Sequence, residues 1–168
     1  EERKKDFLKN LENIQSMLLA GGKKEEGAKV KLFNGWNGMK LAFDELLGKK
    51  QTGDYLIFAI DVPQNVLLRF RQLVRNVHKA RIAKKIPCSA LISTKLRDTV
   101  GEDRKKEPLT SLRFVSIEQA MPMVANVYAD KVMLAVWSEP PMAIIIDNKQ
   151  SADSFKAYFN LIWKNARQ

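Results

Sequence analysis

The chain carries one histidine and one cysteine, and that scarcity bounds its chemistry. His78 has no sequence neighbour of the kind that would orient it for catalysis. It reads as an ordinary surface histidine on the charged side of a helix. Cys88 has no partner for an internal disulfide, and a single histidine rules out any Cys/His set with metal-ligand spacing. A reducing compartment and no bound metal follow as expectations. Gly35-Trp36-Asn37-Gly38 is too short for a phosphate-cradling loop or a dinucleotide fingerprint, no nucleophile elbow occurs, and no cofactor is implied.

The remaining chemistry is cationic. Lys and Arg number 29 against 19 Asp and Glu, for a formal charge of +10 on 168 residues. Hydrophobic residues at 45% and charged residues at 29% are ordinary globular values, which excludes a disordered or low-complexity chain. Arg69, Arg71, Arg75, Lys79, Arg81, Lys84 and Lys85 follow one another without an acid. On a helix from about Pro63 to Lys85, Val66, Phe70, Leu73, Val74 and Val77 share a stripe, with Arg71, Arg75, His78 and Lys79 opposite. That basic face reads either as solvated surface or as a surface for nucleic acid or an acidic partner. Arg81 falls at the edge of the apolar stripe, where a guanidinium must be paired, for instance with Asp61 or Asp54, or must face an anion or ligand.

The elements that position these residues follow from periodicity. Phe7, Leu11, Ile14 and Leu18 form a heptad-like seam on a leading helix over 1–22, ended by Gly21-Gly22. The seam suits a dimerising coiled coil or packing on its own domain, and residues 23–28 read as a polar linker. Strands are expected at 29–33, 55–60, 88–92, 112–117, 123–128, 132–137 and 142–146, with helices over 36–47, 63–85 and from about 151. Residues 93–110, polar and broken by Gly101 and Pro108, read as a surface segment. The fold class is therefore α/β, a mixed sheet flanked by helices. The short links after 128 and 137 permit only antiparallel neighbours. No apolar run approaches membrane-spanning length, and a cytoplasmic protein is expected.

Several phrases, in this order, resemble one family: Phe33-Asn-Gly-Trp-Asn-Gly-Met-Lys40, His78-Lys-Ala-Arg-Ile82 followed by Ile86, Tyr128-Ala-Asp-Lys-Val132, and Ser154-Phe-Lys-Ala-Tyr-Phe-Asn-Leu-Ile-Trp163. Together they are similar to the C-terminal effector domain of TrmB-type transcriptional regulators, over roughly residues 29–167. The resemblance implies a phospholipase-D-like fold over 29–168, preceded by a coiled-coil helix. It further implies a homodimer, a possible small-molecule effector, and DNA contacted through an N-terminal domain absent from this chain, which would then be a piece of a longer protein. The all-β region of sugar-binding members has no counterpart here.

Phospholipase-D enzymes use H-x-K and a following Asp. The corresponding positions here are Met121, Met123 and Tyr128, which can neither attack phosphorus nor offset its charge. The expectation is a non-enzymatic domain. Its ligand candidates at the old site are Met121, Met123, Asn126 and Tyr128 with Trp137 and Glu139, joined by Arg81; plain core packing is the competing reading. Two alternatives stay open: a phosphodiesterase with His78 as nucleophile, and direct nucleic-acid binding through Arg71, Arg75 and Lys79.

Overall fold

A computed structural model describes residues 27–119 and 122–167. The 1–22 helix with Phe7, Leu11, Ile14 and Leu18, most of the 23–28 linker, and Met121 lie outside the described residues. Seven strands form one sheet: β1 (Lys29–Asn34), β2 (Tyr55–Ile60), β3 (Cys88–Ser93), β4 (Thr110–Val115), β5 (Met123–Tyr128), β6 (Lys131–Val136) and β7 (Met142–Asp147). The helices are α1 (Gly35–Leu47), α2 (Gln64–Ala83), the single turn α3 (Glu102–Lys105) and α4 (Lys149–Asn165).

The sheet order is β1-β7-β6-β5-β2-β3-β4. β2, β3 and β4 are parallel, while β5, β6, β7 and β1 continue the sheet antiparallel. The two architectures follow from linker length. The long β2–β3 and β3–β4 connections can cross over, whereas Ala129-Asp130 and the Glu139-Pro140-Pro141 link can only reverse the chain. β1 enters at the far edge, with Lys29 opposite Asp147 and Leu32 opposite Ile144. Gly35, at φ 72°, makes the sharp exit from β1 into α1, a backbone conformation costly for other residues.

Alternation along each strand sorts side chains to two faces. Tyr55, Ile57, Ala90, Ile92, Val124, Met133, Ala135 and Ile145 meet α1 and α2, with Met39, Phe43, Phe70 and Val74 pressed onto them. On the other face Val127 and Val132 pack with Ala152 and Phe155 of α4, and Phe58 sits edge-on to Phe155 and Phe159. Helices thus cover both faces, as expected. The difference from expectation lies in 93–110. Residues Thr94–Leu96 form a 3-10 turn and Arg97–Gly101 a π turn that leads into α3, burying Leu96, Val100 and Arg104. Gly101 permits this fold-back, since a Cβ there would stand 3.0 Å from the Phe114 ring. This polar stretch is a lid on the core rather than a surface excursion.

Candidate functional site

On α2 the buried row is Val66, Phe70, Val74, His78 and Arg81, each 6% exposed or less. At roughly 100° per residue this row centres near Arg81, so Arg81 lies in the middle of the buried stripe and His78 within it. The expected surface position of His78 is thereby corrected. Leu73 and Val77 had drawn the inferred stripe toward themselves, yet both are only partly buried. A count of apolar residues could not register that two polar side chains complete the buried face.

Those two side chains belong to a polar cluster between α2, α3 and the parallel strands. Glu107, just after α3, is its hub. One oxygen lies 2.9 Å from His78 Nδ1 and 3.7 Å from Arg81 Nη2, and the other lies 3.0 Å from Arg104 Nη1. His78 Nδ1 is also 3.3 Å from Arg81 Nε, but it cannot both accept from Arg81 and face a carboxylate without a proton. The shorter contact decides: Nδ1–H donates to Glu107, and Nε2 keeps its lone pair. Arg81 donates to the carbonyls of Ile86 at 2.6 Å and Leu109 at 3.1 Å and to Thr110 Oγ1 at 2.7 Å. It therefore clamps the end of α2 to the approach to β4. Neither Asp61 nor Asp54 serves it: Asp61 stands 4.0 Å from Lys95, and Asp54 accepts from Ser89.

Burial sets the protonation states. It lowers the pKa of His78 to about 4 even against the hydrogen bond to Glu107, so the imidazole is neutral at neutral pH and its contact with Glu107 is a hydrogen bond rather than an ion pair. Burial pushes Cys88 up to about 12, leaving an inert thiol. Tyr55 is raised well above its ordinary value by burial, and its phenol donates to Asn126 Oδ1 at 2.6 Å. Arg104 is lowered from its usual value by burial, though a guanidinium keeps its charge.

Next to this cluster is a cavity lined by Tyr55, Phe70, His78, Arg104, Asn126 and Trp137 among others. Its volume is about 20 Å³, room for about one water-sized group. Among the described residues Trp137 Nε1 and Arg104 Nε have no hydrogen-bond partner. A neutral imidazole oriented by a carboxylate is the arrangement of a general base, but a cavity of this size admits one small group, not a sugar or a nucleotide.

The structure draws some candidates together and disperses others. Asn126 and Trp137 line the cavity, and Arg81 joins it through His78 and Glu107. Tyr128 lies at the other end of β5, where its hydroxyl donates to the carbonyl of Gln51 and accepts from the N–H of Gln51. Met123 is 52% exposed. Glu139 accepts from Trp36 Nε1 at 3.1 Å beside Arg69, whose guanidinium stacks 4.4 Å from the Trp36 ring centre. Of the basic face, Arg71 is held by Asp103 at 2.7 and 2.9 Å, while Arg75 and Lys79 are exposed. Sequence reasoning missed Arg104, Glu107 and Tyr55. One signal was present, the spacing of four from Leu96 to Val100 to Arg104, a buried row hidden in a polar stretch. Among the described residues no group of three or more His, Cys, Asp or Glu could hold a metal, and no helix is long and apolar enough to cross a membrane.

No family model and no curated protein sequence matches the chain. Solved structures do. One is TrmBL2, described as an archaeal chromatin protein with a novel mode of DNA binding, similar at TM-score 0.54 and 18% identity over 99% of this chain. The chain spans 65% of that protein's length. Another is NucT from Helicobacter pylori, at TM-score 0.61 and 13% identity over 84% of this chain and 99% of NucT. The likeness to NucT is one of fold, and the expectation of a non-enzymatic domain, drawn from Met121, Met123 and Tyr128, is not upheld. The seven-stranded mixed sheet with its flanking helices is a phospholipase-D-like fold, shared with TrmBL2 and NucT.

Proposed function

We propose that the chain is a dimerising effector domain of a TrmB-like, DNA-associated regulator in the cytoplasm, responding to a small ligand or a partner protein. The observation that supports this reading is the extent of the likeness to TrmBL2. It takes in 99% of this chain, and the sequence of the leading segment carries the Phe7, Leu11, Ile14 and Leu18 seam. A heptad-like seam of four apolar residues buries itself best against a second helix, and a second copy supplies one. DNA would be reached through a module preceding residue 1, with signals passing from the domain over 29–168 through the 1–22 helix. The ligand candidates for this role remain Met121, Met123, Asn126, Tyr128, Trp137, Glu139 and Arg81.

The test is sedimentation velocity of the full chain at micromolar concentration. A dimer that dissociates in Leu11→Asp is the expected result; a strict monomer, unchanged by that substitution, overturns the dimer. In parallel, turnover of a phosphodiester such as bis(p-nitrophenyl) phosphate, lost in His78→Ala, would replace the regulatory reading with a hydrolytic one.

A further inference from the structure

The buried cluster leaves one charge and several donors uncompensated. Arg81 and Arg104 are 0% and 2% exposed, and Glu107 is the one carboxylate that the described residues bring within ion-pair distance of them. With His78 neutral, the interior there holds one positive charge in excess. Asp103, the next carboxylate along the chain, is engaged by Arg71. Burying an unpaired charge is costly, and an unpaired buried N–H adds to that cost. Among the described residues Arg104 Nε–H and Trp137 Nε1–H are both without acceptors, and both residues line the same cavity. The Asn126 amide on its wall is held only at 3.4 and 3.5 Å, by the carbonyls of Val124 and Met133.

Donors without acceptors, beside a surplus of positive charge, specify an anion, and about 20 Å³ specifies its size. A water would fill the space and satisfy donors but leave the charge. Carboxylates, phosphates and nitrate need room for several heavy atoms.

We propose that the cavity between α2, α3 and β5 is a binding site for a single monovalent anion of halide size, held by Arg104 Nε–H and Trp137 Nε1–H with the Asn126 amide beside them. Bound there, the anion neutralises the Arg81–Arg104–Glu107 cluster and ties α3, the lid over the core, to the sheet. The site does not depend on the regulatory reading, and its failure would leave that reading standing.

The experiment uses the full chain with bromide and chloride as probes. Crystals soaked in bromide are expected to show an anomalous peak between Arg104 and Trp137. In solution the thermal midpoint is expected to rise saturably with chloride or bromide, but not with gluconate at equal ionic strength. Trp137→Phe, which removes the indole N–H, should raise the half-saturating concentration about tenfold, the cost of one hydrogen bond to a charged partner. Arg104→Lys, which keeps the charge but loses Nε–H, should do the same and covers the case in which the first variant does not fold. A peak without a halide-specific midpoint shift would mean an adventitious ion only and overturns the proposal. So would cavity density without anomalous signal, an ordered water.

Discussion

His78 shows how far one buried side chain couples this domain to pH. Its pKa falls from 6.5 to about 4 on folding, so the unfolded chain takes up the proton first as pH drops. The contribution to stability is complete above pH 6.5, declines as pH falls toward 4, and amounts to about 3 kcal/mol by linkage. Urea denaturation at pH 7 and pH 4.5 should show that loss, and His78→Gln should flatten it; an unchanged slope in the variant would place the sensitivity elsewhere. Glu107 holds one neutral and two charged neighbours, so Glu107→Ala should cost about 3–5 kcal/mol in equilibrium unfolding, as for a buried pair broken on one side. Asp103→Asn, at the partly exposed Arg71 pair, should cost about 1 kcal/mol or less. At this scale the sequence was least legible. That Arg81 needed a partner or a cavity followed from its place on the helix, but its partners are backbone carbonyls at Ile86 and Leu109, which no residue pattern encodes.

Elements were far more legible, because hydrophobic period and turn residues act locally. β2 read as a continuous apolar run because it is covered on both faces, and α2 begins just after Pro63 and stops before Pro87 as backbone rules require. α4 was found as a helix, yet its contact face was not fully given by its apolar residues. Phe159 and Ala152 are buried, whereas Tyr158 and Leu161 are 63% and 64% exposed. The sheet's own Phe58 fixes the face of contact, edge-on to Phe155 and Phe159. Phe58→Ala should therefore loosen α4 specifically, at about 3–5 kcal/mol. Hydrogen exchange should show the loss of protection concentrated in Lys149–Asn165 rather than in α1 or α2. The lid formed by 94–105 is the element that sequence concealed, since its buried row contains an arginine where a pattern search expects an apolar residue.

For the molecule as a whole, the mixed sheet was inferable from which connections are short, but the strand order was not. β1 is the first strand in sequence and sits beside β7, the last, a pairing between segments with no local signal for each other. That closure has a consequence for how the protein is made. During synthesis β1 emerges early and must wait for nearly the entire domain before its partner exists. Meanwhile it carries Val30 and Leu32, which stay 62% and 58% exposed even in the finished fold. Lys29 and Lys31 alternate with them, charges of the kind that discourage a waiting strand from pairing with a neighbouring chain. Lys31 later settles against Glu45 of α1 at 2.9 Å, a contact within the segment already synthesised. Replacing both lysines with threonine should change folding stability by about 1 kcal/mol or less, yet shift newly made protein from the soluble to the aggregated fraction at high expression. On this view the strand's charges guard the nascent chain during the interval in which its only correct neighbour is still untranslated.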